Sequence, residues 1–399
     1  MEFPLLSHHP DLVYLDTAAT SLKPASVIQA VSEYATEYGT NAARGLYPLA
    51  ESTSARVEEI RAHAARFFGA KAEEMIFTSG TTAGLNLAAE MLRDSITSGD
   101  EILASALEHH SNFLPWKMLA KRAQASFQTV PVTADGFIDR AELEKMLTPR
   151  TRVVALSAAS NVLGTIQDIA FLAKLVRRSA PQALLVVDAA QLAGKRRFKI
   201  SDWDADIVAV SGHKFYAPTG TGLLFIRETL QEELSKAALG GGMVLDALAD
   251  PPEWKSGPAG FEAGTLNLSG IFGLGAALDF LETSGLEKIA AHDEKLTHFA
   301  IQKLETAFGK HVHILGTPDA EKRVGIVSFT LENTHPHDLA SFLGERGICI
   351  RAGEHCAAPL HRALHVAASS RLSFGIYTTE TDIEKAITAL AEAYSFFAA

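Results

Sequence analysis

The sequence predicts an α/β fold in two parts: a large domain with a mostly parallel, mixed sheet covered by helices, and a small C-terminal α+β domain. From about residue 74 short apolar runs alternate with helical patterns, and this pattern changes in the last third. The length of 399 residues also exceeds what one small core accommodates. We expect the large domain over residues 16–290 and the small domain over residues 1–15 and 291–399.

The apolar runs of the large domain have the length of β-strands, and helical segments separate them. Strands that alternate with helices need crossover connections, which place helices on both faces of a mostly parallel sheet. Leu85, Ala88, Ala89 and Leu92 illustrate the helical spacing of i, i+3, i+4 and i+7. The predicted strands are 74–78, 101–105, 153–157, 184–188, 207–211 and 222–226.

The remaining third changes from crossover units to shorter elements. The Gly- and Pro-rich residues 240–264 predict a long ordered loop, and residues 273–307 predict a helix that bridges the two domains. Thr379 and Asp382 have the spacing of a capping box and predict the start of a C-terminal helix. The other elements expected here are strands at 324–331, 348–351 and 372–376 and a helix at 336–346.

Charge and composition exclude several classes of protein. The formal net charge is −11 without a basic cluster, so we expect neither a nucleic-acid partner nor a membrane surface. Met1–Pro10 lacks the features of a signal peptide, and no apolar run reaches the length of a membrane span. The two cysteines, Cys349 and Cys356, cannot form a disulfide framework, which favours a reducing cytoplasm. No Cys/His cluster has metal-ligand spacing, and no metal site is predicted.

Polar residues follow several of the predicted strands, where open parallel sheets bind their ligands. The first strand runs into Ser-Gly-Thr-Thr-Ala-Gly at residues 79–84, which is either a phosphate-binding turn at a helix N-terminus or an ordinary helix start. Asp188 ends an apolar strand and either caps the next helix or pairs with a protonated pyridine nitrogen. His109 belongs either to a solvated polar loop or to a site where its ring stacks on a flat cofactor.

Lys214 follows another strand end, in Ser211-Gly212-His213-Lys214. Such a lysine is either a surface residue or, if desolvated, an amine able to form a Schiff base. A phosphate-binding turn, a histidine, an aspartate and a lysine in this order are the parts that pyridoxal-5′-phosphate (PLP) requires. The combination therefore predicts a PLP enzyme.

Nine segments extend this pattern along the chain, from about Tyr14 to the C-terminus. They are residues 14–19, 44–45, 80–82, 108–112, 160–165, 187–191, 211–214, 261–265 and 351–356, the last reading Arg-Ala-Gly-Glu-His-Cys. In this order they resemble the class V aminotransferase superfamily of fold-type I PLP enzymes. The resemblance is greatest to the group II, SufS-like cysteine desulfurases and selenocysteine lyases, and the segment that ends at Cys356 carries it.

The resemblance implies a role for each matching residue. Lys214 would hold PLP covalently, Asp188 would pair with the pyridinium nitrogen, and His109 would stack on the ring. The remaining cofactor contacts would come from Thr82, Ser211 and His213 at the phosphate, from Gln191 at the phenolic oxygen and from Thr81. Asn161 and Arg371 would hold the substrate carboxylate, and Arg351 would also bind the substrate.

The resemblance also implies partners and an acceptor for sulfur. Thr265 would reach the phosphate of the other subunit, which implies a homodimer. Cys356 would take sulfur from L-cysteine as a persulfide and release L-alanine, with a sulfur-acceptor protein downstream and iron–sulfur cluster assembly as one use of the sulfur. Without the resemblance, Cys356 could also be a small buried residue. Cys349, between two isoleucines, is predicted to lie in a core strand.

Two alternatives remain open from the sequence. One is another class V PLP enzyme that does not use Cys356: a cystine or cysteine lyase, an amino-acid epimerase or a transaminase. The other is a PLP-free nucleotide- or phosphate-binding protein on a Rossmann-like sheet. Glu354 and Ala189 depart from the residues common in relatives, and these changes leave the preference among cysteine, selenocysteine and cystine open.

Overall fold

The computed structural model describes residues 2–42 and 45–397, so Arg44 of the second motif lies outside the described residues, as do the ends of the predicted small domain. The strands are β1 (Val13–Tyr14), β2 (Met75–Thr78), β3 (Glu101–Ser105), β4 (Ser126–Val130), β5 (Thr151–Ser157), β6 (Leu184–Asp188), β7 (Ile207–Ser211), β8 (Gly222–Ile226), β9 (Val244–Asp246), β10 (Glu253–Trp254), β11 (Val312–Ile314), β12 (Ile326–Leu331), β13 (Ile348–Cys349), β14 (Arg351–Gly353) and β15 (Ser369–Ser373). The α-helices are α1 (Pro4–His8), α2 (Ala25–Glu33), α3 (Pro48–Phe68), α4 (Thr81–Met91), α5 (Leu114–Ala123), α6 (Arg140–Met146), α7 (Ile169–Ser179), α8 (Leu268–Ser284), α9 (Leu286–Phe308), α10 (Pro336–Gly344), α11 (Ala358–Ala363) and α12 (Glu380–Phe397).

A seven-stranded mixed sheet has the order β2-β8-β7-β6-β5-β3-β4. Strands β7, β6, β5, β3 and β4 are mutually parallel, whereas β8 runs antiparallel to both of its neighbours. This confirms the predicted α/β class with a mixed sheet. The sequence did not indicate β4, because this edge strand is largely exposed or half-buried and lacks an apolar run.

Two hydrophobic cores cover the faces of this sheet. Successive residues of β5 alternate between them: Val154 and Leu156 belong to one core, and Val153 and Ala155 to the other. Strands buried on both faces read as continuous apolar runs, which is why the sequence pattern located them. The same burial leaves the polar residues of β6 and β7 only at the strand ends.

A four-stranded antiparallel sheet, ordered β11-β12-β15-β14, forms in the last third. The N-terminal strand β1 pairs in parallel with β13, so Val13 lies opposite Ile348. The capping box of α12 is present: the Thr379 amide donates to Asp382 Oδ2 at 2.8 Å, and the Asp382 amide donates to Thr379 Oγ1 at 3.2 Å. Within the described ranges no helix is long and apolar enough to cross a membrane.

Several expected elements have different bounds. The single helix predicted over 273–307 is wrong, because Gly285, in a left-handed conformation (φ 80°), separates α8 from α9. The 240–264 loop contains the short hairpin β9–β10. The strand expected at 372–376 is Ser369–Ser373, whose serines are buried but give no apolar signal. The domain boundary after residue 290 falls inside α9 and stays a prediction.

Candidate active site

A cavity of about 310 Å³ lies at the carboxyl ends of the parallel strands. Every residue that the sequence predicted for the site lines it, except Thr265. These residues are Thr81, Thr82, His109, Asn161, Asp188, Gln191, Ser211, His213, Lys214, Arg351, Cys356 and Arg371.

Asp188 and Lys214 reach the cavity from neighbouring strands. Asp188 is the last residue of β6 and lies opposite Ala209 of β7, while Lys214 is in the helical turn that follows β7. Burial raises the pKa of Asp188 and lowers that of Lys214, and the attraction between the two charges opposes both shifts. The Asp188 carboxylate accepts one hydrogen bond, from the Ala190 amide at 2.9 Å.

The start of α4 supplies the anion-binding part of the cavity. Because β8 lies between β2 and β7, the ends of β2 and β7 are close, and the Thr81 amide donates to Ser211 Oγ at 2.8 Å. Gly222 permits this approach, since a Cβ there would lie 2.6 Å from the Gly80 Cα. Free amide groups at a helix N-terminus favour an anion such as phosphate.

The loop after β3 positions His109 over the cavity. His109 Nδ1 accepts from the Ser111 amide at 3.1 Å, which assigns the ring proton to Nε2. Ser111 Oγ also lies 2.9 Å from that nitrogen and 2.7 Å from Thr82 Oγ1. Burial and the Lys214 charge lower the pKa of His109 to about 3, so its ring is neutral at pH 7. Sequence reasoning assigned no role to Ser111, although it lies in the same motif as His109.

Glu108, beside His109, is a further residue that sequence reasoning left without a role. Its carboxyl is fully buried and hydrogen-bonds Ser157 Oγ at 2.6 Å, Ser157 N at 2.8 Å and Asn112 Nδ2 at 2.5 Å. Burial raises the pKa of Glu108 to about 8, so the group is mainly protonated at pH 7. Glu108 thus ties the His109 loop to the end of β5.

Two arginines from the C-terminal sheet complete one side of the cavity. Arg371 of β15 lies opposite Arg351 of β14, and Asp16 binds both. Arg371 also donates to the Asn161 carbonyl at 2.8 Å and is 3% exposed, whereas the Arg351 side chain is 49% exposed. Burial lowers the pKa of Arg371 to about 10, so it remains a cation at neutral pH. Asp16 lies in the first sequence motif, but only the structure shows its two ion pairs.

The thiol of Cys356 is exposed and lies on the segment 354–358, the Cys356 loop. His355 and Cys356 both have left-handed backbones, with φ of 51° and 56°. Hydrogen bonds from the loops that follow β5 and β3 hold this conformation: the side-chain Nδ2 of Asn161 donates to the His355 carbonyl at 2.7 Å, and the backbone amide of His110 donates to the Cys356 carbonyl at 2.7 Å. The Ala358 amide donates to His110 Nε2 at 3.2 Å.

Comparison with known proteins identifies the family. Residues 13–386 match the family described as Aminotransferase class-V. The chain belongs to this family. A probable cysteine desulfurase of Halalkalibacterium halodurans is 38% identical over 99% of this chain and 97% of its own length. A cysteine desulfurase of Shigella flexneri is 36% identical over 98% of this chain and 96% of its own length.

Solved structures of cysteine desulfurases have the same fold. The apo cysteine desulfurase of Thermococcus onnurineus superposes with a TM-score of 0.93 at 34% identity, covering 99% of this chain and 97% of the other. The cysteine desulfurase CsdA of Escherichia coli, with an S-sulfonic acid, has a TM-score of 0.89 at 33% identity and the same coverage.

Class-V enzymes depend on PLP, and the polar groups of the cavity fit this cofactor. Thr81 Oγ1, Gln191 Oε1 and Arg371 Nε are buried without a hydrogen-bond partner. Unpaired buried polar atoms are costly, so their convergence on one cavity fits a polar ligand that supplies the missing partners. The Asp188 carboxylate suits a pyridinium nitrogen and the start of α4 suits a phosphate; the role of each residue stays a prediction.

Thr265 is the predicted site residue that the fold does not bring to Lys214. It lines a separate cavity of about 580 Å³, together with Arg61 and Glu262. Its hydroxyl accepts from Asn41 Nδ2 at 3.4 Å. The sequence prediction assigned Thr265 to the site of another subunit, and this assignment stays a prediction.

Proposed function

We propose that this chain is a PLP-dependent cysteine desulfurase that transfers sulfur from L-cysteine to Cys356 and releases L-alanine. The observation that carries the proposal is the presence of an exposed thiol in the same cavity as Lys214 and Asp188. A PLP lyase, epimerase or transaminase needs the lysine and the aspartate but no thiol. The full-length similarity to cysteine desulfurases supports the same function.

The substrate carboxylate would bind to Arg371 and Asn161. The free Nε of Arg371 offers a charge-assisted hydrogen bond in a buried setting, and Asn161, whose backbone carbonyl accepts from Arg371 Nη1, lines the same cavity. The Asn161 side chain also donates to the His355 carbonyl, so the substrate and the Cys356 loop would both contact Asn161. A substrate bound there would occupy the cavity that Lys214 and Cys356 also line.

PLP, when bound, supplies an electron sink for the substrate Cα. Asp188 would hold the proton of the pyridine nitrogen, and the buried ring of His109 would exclude water from one side. The lowered pKa of Lys214 increases the fraction of free amine that can accept the Cα proton and return it to Cβ. The attacking group in such a transfer is a thiolate, and Cys356 lines the same cavity as Lys214, Arg351 and Arg371.

The transfer step balances without another reagent. The Cβ–S bond of the substrate breaks while an S–S bond to Cys356 Sγ forms, and Cβ takes up a proton. Cysteine and a thiol thus become alanine and a persulfide. Selenium is a better leaving group than sulfur, so the dependence of selenocysteine turnover on Cys356 requires a separate assay.

Product analysis tests this function in the wild type, in Cys356→Ala and in Cys349→Ser as a matched control. We expect alanine from cysteine in the wild type and in Cys349→Ser, because Cys349 lies in β13 outside the cavity. Cys356→Ala should bind PLP and cysteine normally and form no alanine, since the early steps need no thiol. Pyruvate from both the wild type and Cys356→Ala would instead identify a lyase.

A homodimer is part of the proposal, with Thr265 completing the site of the other subunit. The location of Thr265 away from Lys214 in its own chain supports this arrangement. Mixing Lys214→Ala subunits with Thr265→Ala subunits tests it, because each mixed dimer would contain one intact site. Activity well above that of either variant alone supports a shared site, and no gain would contradict it.

The fate of the sulfur and the compartment are also proposed. The short segment from Arg351 to Cys356 and the exposed thiol support a group II enzyme that passes its persulfide to a separate acceptor protein. Two free cysteines support a reducing compartment such as the cytoplasm. Persulfide that remains on Cys356 until a protein thiol is added would support the acceptor.

A further inference from the structure

We propose that His110 is a positioning residue for sulfur transfer, through two hydrogen bonds that hold the Cys356 loop over the cavity. This inference rests on the proposed function and concerns a residue to which the sequence assigned no role. His110 is not among the residues that line the cavity of Lys214 and Arg371. It acts through the Cys356 loop.

The two contacts come from different parts of His110 and bind on either side of Ala357. Its backbone amide donates to the Cys356 carbonyl at 2.7 Å, and its Nε2 accepts from the Ala358 amide at 3.2 Å. The Ala358 amide is at the start of α11, where no partner exists within the helix. The imidazole therefore satisfies a donor that the local fold leaves free.

The conformation that these contacts hold is a strained one. His355 and Cys356 are consecutive non-glycine residues in the left-handed region, an unfavourable conformation that persists only when the surroundings fix it. The Ala357 side chain is fully buried, which anchors one point of the loop, but the thiol itself is exposed. Without the His110 contacts the loop would gain freedom at the residue that must meet the substrate sulfur.

The position of His110 in the chain adds a second consequence. It follows His109, which lines the cavity, and both belong to the loop that Glu108 fixes to the end of β5. The position of the Cys356 loop is therefore fixed by the His109 loop, on the cofactor side of the cavity, as well as by the C-terminal sheet. Cysteine binding should not depend on this contact, whereas the transfer to Cys356 should.

Three substitutions separate positioning from general stability. His110→Ala removes the acceptor, whereas His110→Gln provides a carbonyl oxygen that reaches about as far as Nε2. The carbonyl of His110→Asn ends nearer the backbone, at the level of Nδ1, and should not restore the bond. His298→Ala is the control, because this histidine is exposed on α9.

We expect kcat for alanine formation to fall about tenfold in His110→Ala and His110→Asn, with little change in KM. A tenfold fall in kcat corresponds to the loss of the stabilisation that about one hydrogen bond provides. His110→Gln and His298→Ala should stay near the wild type. Hydrogen–deuterium exchange of the peptide 355–361 in the PLP-bound proteins should be faster in Ala and Asn and restored in Gln. Cysteine binding, followed by the absorbance of bound PLP, should be equal in all variants.

Unchanged exchange and unchanged kcat in His110→Ala would overturn the inference. So would a Gln variant as impaired as the Ala variant, or an effect confined to KM, since these would indicate a packing or a substrate-binding role. If the wild type forms no alanine from cysteine, the proposed function fails, while the exchange data still decide whether His110 holds the loop.

Discussion

The two sides of the cavity fix their reactive groups in different ways. On the cofactor side Asp188 and Lys214 follow neighbouring parallel strands, so the hydrogen-bonded register of β6 and β7 sets their separation. On the thiol side Cys356 is exposed, in a left-handed conformation, and is held by hydrogen bonds to its loop.

The cofactor side and the thiol side of the cavity should therefore tolerate different perturbations. A sheet with cores on both faces resists local change. Substitutions on the cofactor side should therefore lower activity and leave the positions of the remaining side chains unchanged. A loop held by a few hydrogen bonds can lose geometry without any change in the chemistry of its thiol.

Lys214→Ala should have the largest effect, with loss of covalently held PLP and of all turnover. No other amine in the described part of the chain lines this cavity, so nothing replaces the covalent link. Borohydride reduction followed by mass spectrometry of the peptides measures it. Lys117→Ala, an exposed lysine beside the Phe113 ring, should retain PLP and activity. PLP trapped at its usual level in Lys214→Ala would contradict the assignment.

Asp188→Asn should keep PLP and the fold but lower kcat on the order of 10²-fold, because an amide does not hold the pyridine proton. Asp206→Asn is the matched control: this buried carboxylate precedes β7 and pairs with Arg177 at 2.7 Å, outside the cavity. It should lower stability and leave the activity per bound PLP unchanged. Similar rates for Asp188→Asn and the wild type would remove Asp188 from the cofactor side.

Arg371→Lys and Arg351→Lys compare a buried and an exposed guanidinium in adjacent strands. Lysine keeps the charge but loses the planar fork, so Arg371→Lys should raise the KM for cysteine by roughly tenfold or more. Arg351→Lys should change it by less than about threefold, because this half-exposed group already forms a bidentate pair with Asp16. The reverse order would assign the substrate carboxylate to Arg351.

The smallest effect concerns stability in acid. Burial lowers the pKa of His355 to about 2, with an added contribution from Arg371, against 6.5 for the ordinary group. Between these values the unfolded chain binds a proton that the folded chain does not, so stability rises with pH and is lost on acidification. His355→Gln should reduce this dependence by ~1.4 kcal/mol per pH unit between pH 4.5 and 5.5, measured by urea unfolding. His298→Gln should leave the slope unchanged; an equal change there would exclude burial as its cause.

The apolar runs in the sequence predicted the central strands correctly because both faces of the sheet are buried. The polar residues that follow these runs predicted the cofactor side of the cavity. The sequence missed what depends on non-local contacts. Asp16 is 355 positions from Arg371, and Ser369–Ser373 forms a buried strand without apolar residues. Gly285 did not interrupt the apolar spacing that predicted one long helix, yet its left-handed backbone ends α8.

From the sequence alone we predicted the alternation of apolar strands and helices in the large sheet, the family motifs and the residue types available for chemistry. These depend on local periodicity and on composition near strand ends, which the chain carries in a short window. The tertiary structure was needed to show that Cys356, from the C-terminal third, lines the same cavity as Lys214, and that His110 hydrogen-bonds the Cys356 loop. Such contacts arise from the packing of segments far apart in the chain, as in the 248-residue separation of His110 and Ala358. A linear pattern does not encode which side chains packing brings within hydrogen-bonding distance.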